Sequence, residues 1–92
     1  MTINELLTAY ATGERNFIGA NLRNANLSEA NLSGVDFSGV DFSDVDLSGA
    51  NLSSAILVET ILSGANLNRV NLEGAYLEGV DIRGIDLSNT IC

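Results

Sequence analysis

Ala20-Asn21-Leu22-Arg23-Asn24, Ala25-Asn26-Leu27-Ser28-Glu29 and Ala30-Asn31-Leu32 beat out a five-residue rhythm that runs to the end of the chain. Counted from the large apolar residue, the centres fall at Phe17, Leu22, Leu27, Leu32, Phe37, Phe42, Leu47, Leu52, Leu57, Leu62, Leu67, Leu72, Leu77, Ile82 and Leu87, fifteen repeats without a slip. A period of five suits neither common template. On a helix, successive centres would drift about 140° and leave no stripe. In a straight strand, side chains alternate with period two, so an odd spacing would send successive centres to opposite faces. The rhythm is satisfied if the chain runs extended for about three residues and then turns a corner, so that every centre points inward and the chain coils.

The remaining columns agree. Two residues before the centre stand Ala, Val or Ile in thirteen of fifteen repeats, Arg15 and Thr60 being the exceptions. Two apart in extended chain means the same side, so this column also lines the interior, small where the centre is large. Immediately before the centre, Asn or Asp occurs in twelve of fifteen repeats. Such side chains bond to nearby backbone and favour turns, which places them outside, at the corners. Ser follows the centre in eight repeats, and Gly comes next in eight. Glycine supplies the positive φ that a tight turn needs. The chain has no proline, which leaves its N–H groups available for a ladder between coils.

The pattern A-(N/D)-L-(S/x)-G, as in Gly49-Ala50-Asn51-Leu52-Ser53 and Gly64-Ala65-Asn66-Leu67-Asn68, resembles the pentapeptide-repeat family over about residues 15 to 92. That resemblance implies an all-β solenoid: a right-handed, four-sided parallel β-helix with one repeat per side and twenty residues per coil. Fifteen repeats then make nearly four coils, a prism roughly 18 Å long at ~4.8 Å per stacked strand. In that register Phe17 lies under Phe37, with Phe42 beside it, as an aromatic cluster. The short, helix-capped form is similar to cyanobacterial members.

Residues 1–14 break the rhythm and form the N-terminal part of the same domain, with the β-helix over 15–92. Thr2 and Glu5 match a capping box, Ile3, Leu6, Leu7 and Tyr10 recur at helical spacing, and Gly13 stands where a helix ends. The spacing predicts a helix over residues 2–13 that caps the open first coil. A targeting helix is the rival reading, but the segment lacks Lys or Arg before Glu14-Arg15 and has no long apolar run.

The rule lapses most visibly between Ala55 and Leu62, and again at Tyr76. In the four-sided register Ile56 and Tyr76 share one side in adjacent coils, and Ile61 lies on the next side. Ile56, Val58, Ile61 and Tyr76 are therefore the candidate protein-contact patch, exposed and apolar across one edge; the bland alternative is drift in a tolerant repeat. At the other candidate site, Ile91 and Cys92, the last coil presents strand edges that invite end-to-end pairing into a homodimer, with or without an intermolecular disulfide at Cys92. Blunting by Asn89 and Thr90, or a cap supplied by a partner, would serve instead.

Composition narrows the function. Twelve Asp and Glu against four Arg, with no Lys, give a net charge of -8 and a pI near 4.1. Direct binding to nucleic acid or an anionic membrane is disfavoured, since phosphates need cations. One cysteine cannot form an internal disulfide, which makes a reducing cytoplasm the expected setting. There is no histidine, and the only thiol is the last residue, so the usual triads, dyads and zinc sets are missing. Carboxylate pairs such as Asp44 with Asp46 sit on a convex tube with no pocket to shift them. The expectation is a non-catalytic structural or protein-interaction module with no cofactor and no metal. The alternative comes from the resemblance: some pentapeptide-repeat proteins are acidic rods that look like duplex DNA and occupy the DNA-binding saddle of type II topoisomerases. Duplex DNA would carry about ten charges in 18 Å. Residues 15 to 92 carry -6, spread over the four sides as about -2, -1, -2 and -1.

Overall fold

A computed structural model describes residues 1–92. Helix α1, Ile3–Ala11, opens the chain with Thr2 as N-cap, and both halves of the capping box are made. The Glu5 amide donates to the Thr2 hydroxyl at 3.1 Å, and the Thr2 amide donates to the Glu5 carboxylate at 2.7 Å. Gly13 ends it in a left-handed conformation, φ +104°. Leu6 is fully buried, and Ile3, Leu7, Ala9 and Tyr10 pack against the same core. The helix is pinned at two further points. The Tyr10 hydroxyl donates to the Ser33 carbonyl at 2.6 Å, and the Arg15 guanidinium stacks 3.6 Å from the Tyr10 ring centroid.

Beyond α1 every parallel bridge joins residues twenty apart, from Asn16 with Asp36 to Asn71 with Ile91. A corner every five residues and a ladder step every twenty make a four-sided coil. The Leu47 amide donates to the Asn66 carbonyl at 2.9 Å, and the Asn66 amide donates to the Val45 carbonyl at 2.9 Å. Such pairs of backbone bonds hold each coil to the next at every step except Asn21–Asp41 and Asn66–Asp86, which is why a chain without long strands is still held together. Within a repeat, the Ala50 amide donates to the Leu47 carbonyl at 2.9 Å and closes the corner. The third residue of each corner, from Gly19 to Gly84, has φ between +58° and +79°. Eight of these fourteen are glycine, and Asn24, Glu29, Asp44, Ser54, Glu59 and Arg69 hold the same left-handed conformation with a side chain attached. Gly49 shows the second use of glycine here. Its missing Cβ leaves room for the Glu29 carboxylate, which reaches across it to Arg69 at 3.1 Å, two coils away.

The core follows the two inward columns. The twelve centres from Phe17 to Leu72 are buried, together with Val35, Val40, Val45, Ala50, Ala55, Ala65 and Val70. Phe37 contacts Phe17 at 6.0 Å and Phe42 edge-on at 4.9 Å between centroids, which is the aromatic cluster the register implies. Thr60, fully buried in the small-residue column, donates its hydroxyl to the Leu57 carbonyl at 2.9 Å, so no polar atom is orphaned. The sequence assigns fifteen core centres, and the structure corrects the last three. Leu77 is only half-buried, and Ile82 and Leu87 are 46% and 40% exposed. A centre is buried when it is covered on both sides, by two coils or, in the first coil, by one coil and α1; these three have a coil on one side only.

The register is also disturbed there. Bridges hold at Ile61–Asp81 and Asn71–Ile91, but the step between Asn66 and Asp86 has none. The Arg69 amide bonds to the Asn89 carbonyl, one residue beyond the position used elsewhere, and the Thr90 hydroxyl donates to the Leu67 carbonyl at 3.0 Å. The stack of Leu47, Leu67 and Leu87 is therefore in register for its first step and shifted in its second. Asn89 stands at a corner position without the positive φ found at the fourteen corners before it.

Candidate protein-contact surface

All twelve Asn and Asp residues that precede a centre use the side chain in the same way: Oδ1 accepts the backbone N–H two residues on. The column is a row of side-chain-closed turns. In the fifteen repeats the three positions that forgo this bond are Ile56, Ile61 and Tyr76. The ladder brings them together. Ile56 is bridged to Tyr76, and the Leu57 amide donates to the Tyr76 carbonyl at 2.8 Å, while Ile61 lies around the corner on the neighbouring side. Tyr76 is 54% and Ile61 38% exposed. Ile56 and Val58, expected to be exposed with them, are half-buried, so the patch has two protruding side chains on a flatter apolar floor.

Its surroundings are acidic. On the side that carries Ile56 and Tyr76, the carboxylates are Asp36, Glu59 and Glu78, and from Val35 to Gly79 that side has no cation. Asp36 is bridged to Ile56, and Glu59 lies against Gly79, whose absent Cβ would come within 3.1 Å of the Glu59 Cγ. All four arginines of the repeats are engaged: Arg15 stacks on Tyr10 and donates to its carbonyl, and Arg69 pairs with Glu29 at 3.1 Å. Beside Ile61, Arg23 pairs with Asp41 at 3.6 Å and Arg83 with Asp81 at 2.7 Å, both acids being bridged to Ile61.

Other surfaces offer less chemistry. The Ser43 and Ser48 hydroxyls and amides hold the Asp41 and Asp46 carboxyls below their ordinary range, as the Arg83 side chain does for Asp81. These are shifts toward the charged form, the reverse of what a proton-donating acid needs. No three His, Cys, Asp or Glu side chains come together as metal ligands. A cleft of about 170 Å³ opens where the Asn66–Asp86 step is missing, lined by Ala65, Asn66, Leu67, Asn68, Asp86, Ser88 and Asn89. At the last coil Ile91 is 53% exposed beside the free, exposed thiol of Cys92. Ile18, 57% exposed, was not singled out by the repeat pattern; Ser38 separates it from Val58 in the same column. No helix is long and apolar enough to cross a membrane.

A family model for pentapeptide repeats matches residues 16–53 and 46–84, eight copies in all. The chain belongs to the pentapeptide-repeat family. No curated protein matches it at a significant level. Among solved structures it is similar to HetL, a pentapeptide-repeat protein involved in heterocyst differentiation regulation from the cyanobacterium Nostoc sp. strain PCC 7120, with 36% identity and a TM-score of 0.81. That match covers 98% of this chain and 40% of HetL, so this pentapeptide-repeat chain spans well under half of its relative's length. It is similar also to alr5209, a pentapeptide-repeat protein from the same Nostoc strain, at 31% identity and a TM-score of 0.57, over 98% of this chain and 84% of that one. QnrB1, a plasmid-mediated fluoroquinolone resistance protein, shares the fold at 22% identity and a TM-score of 0.54, over 75% of this chain and 37% of its own.

Proposed function

We propose that this pentapeptide-repeat protein is a non-catalytic interaction module: a right-handed rod of nearly four coils, capped at its first coil by α1, that docks a protein partner on the face around Ile56, Val58, Ile61 and Tyr76. One observation carries the reading. Twelve of fifteen repeats close their corner with an Asn or Asp side chain, and the three that give this bond up are neighbours on one edge of the rod. Scattered drift would leave such positions dispersed. Apolar side chains fixed on a backbone ladder are already ordered, so a partner that covers them loses little further conformational freedom. The lack of histidine and the convex surface support a role without catalysis, and the single cysteine fits a cytoplasmic setting.

The duplex-decoy alternative has less support, because the arginines at 23, 69 and 83 interrupt the acidic faces and no continuous stripe of charge remains. A paired substitution tests the contact reading. Ile61→Ser with Tyr76→Ser should leave thermal unfolding within a few degrees of the parent, since both side chains face solvent. The variant should lose a protein that the parent captures from extract of its own source cells. Equal recovery by both proteins would place the contact elsewhere.

A further inference from the structure

On the side that carries Ile56 and Tyr76 the apolar face is bordered by three carboxylates that no cation pairs with, and this fixes the kind of partner that side fits. At Ile61, by contrast, the bridged Asp41 and Asp81 are already paired with Arg23 and Arg83. Asp36 lies in the same outward column as Ile56 and Tyr76, Glu78 lies over Val58 in the next column, and Glu59 lies against Gly79 between them and the corner. None of the three enters an ion pair, although the repeats hold three arginines that do so with other acids. Opposite charges at an interface steer the encounter and exclude partners of the wrong sign. We infer that the patch takes a protein segment with one or two large apolar side chains flanked by lysine or arginine, the apolar groups covering Tyr76 and Ile61 and the cations meeting Asp36, Glu59 and Glu78.

The inference rests on the contact reading above and narrows it. A second copy of this chain is a poor occupant of the same face. It would set three uncompensated carboxylates against three more, in a molecule whose net charge is already -8. Nucleic acid and anionic lipid surfaces meet the same repulsion. The attraction to a cationic segment acts at a solvent-exposed rim, where screening sets in over ~10 Å at 0.1 M salt, so the affinity should depend on ionic strength.

The probe is a library of random dodecapeptides displayed on phage and selected against the whole chain at low salt. Enriched peptides should carry a net positive charge beside an aromatic or large aliphatic residue. They should bind Ile61→Ser/Tyr76→Ser at least about tenfold more weakly than the parent, with a similar loss for Glu59→Gln/Glu78→Gln or on raising salt to 0.5 M. The Glu→Gln pair keeps shape and stability, so its readout does not depend on a damaged fold. Enriched peptides that need Tyr76 but are neutral or acidic would overturn the partner class while leaving the contact face standing. Peptides indifferent to both Tyr76 and Ile61 would overturn the contact face itself, and a library with no enriched sequence would overturn both.

Discussion

Leu52 and Leu87 occupy the same column of the repeat and differ in what covers them. Leu52 is 1% exposed, with coils above and below it tied by the Leu32-to-Asn51 and Leu52-to-Asn71 backbone bonds, whereas Leu87 is 40% exposed. Leu52→Ala should therefore cost ~2–5 kcal/mol of stability in urea unfolding, the range for truncation in a closed core, and Leu87→Ala about 1 kcal/mol or less. Equal losses at the two positions would mean that burial does not set the energy of this column. Charge adds a second effect at this scale. The Ser48 hydroxyl and amide both donate to Asp46 Oδ1, at 2.7 and 2.9 Å, and lower its pKa. A carboxyl depressed in the folded state contributes stability that is fully present above its unfolded value, near ~3.9, and is lost as pH falls through the folded value. Protonating other carboxylates relieves net repulsion and acts in the opposite direction, so the comparison must be with a variant. Asp46→Asn, which keeps the corner bond that Asn26 and Asn66 make in the same column, should be less stable than the parent at about pH 6–7, where the ionised carboxylate contributes. It should lose less stability on acidification and converge with the parent between about pH 4 and pH 2. Identical acid arms would show that the Ser48 bond does not couple to folding.

At the scale of elements, α1 and the corners show which features can be read from a sequence. The capping box of Thr2 and Glu5, the helical stripe and the stop at Gly13 are local in the chain, and each is found as expected. The Tyr10–Ser33 bond is not local. It depends on the angle at which the helix crosses the first coil, and no spacing encodes that. Tyr10→Phe removes the hydroxyl that donates to the Ser33 carbonyl and should cost about 1 kcal/mol, measured as a lower urea midpoint with an unchanged m-value; no shift would mean the tie is dispensable. Corners with glycine were legible for the same local reason. The six corners with Asn, Asp, Glu, Ser or Arg were not, because there the left-handed conformation is imposed by ladder bonds on either side and not by the residue itself. The patch lies between these cases. Its four residues could be named from the broken pattern, but the half-burial of Ile56 and Val58 and the uncompensated state of Glu59 and Glu78 appear only once neighbouring coils are in place.

For the whole molecule the important property is that each coil contacts only its neighbours, so stability is close to a sum over adjacent steps and the weakest step sets where the rod opens. That step is identifiable. The repeat continues without a slip through Leu87, which is why the sequence gives no warning of it, yet the bridge between Asn66 and Asp86 is absent. The amides of Leu67 and Asp86, which the pattern elsewhere would pair across the ladder, have no acceptor there. The adjoining steps are complete, with the Leu47 amide bonded at 2.9 Å and the Leu52 amide at 2.8 Å. The equivalent amides of Leu22 and Asp41 are also unbonded, but there the bridge between Asn21 and Asp41 holds, so only the Asn66–Asp86 step lacks both bonds and bridge. Opening of the last coil needs only the remaining bonds of that coil to break, including Leu62 to Asp81 and Leu72 to Ile91. Opening at Leu52 breaks coils on both sides of it. Native-state hydrogen exchange should accordingly show a gradient along the rod. Leu67 and Asp86 should exchange within the fastest group, Leu62 and Leu72 at the rate of local opening, and Leu32, Leu47 and Leu52 only through opening of the whole stack. Protection of Leu67 as strong as that of Leu47 would show that the ladder is closed on all four sides and that the last coil is as firmly held as the rest.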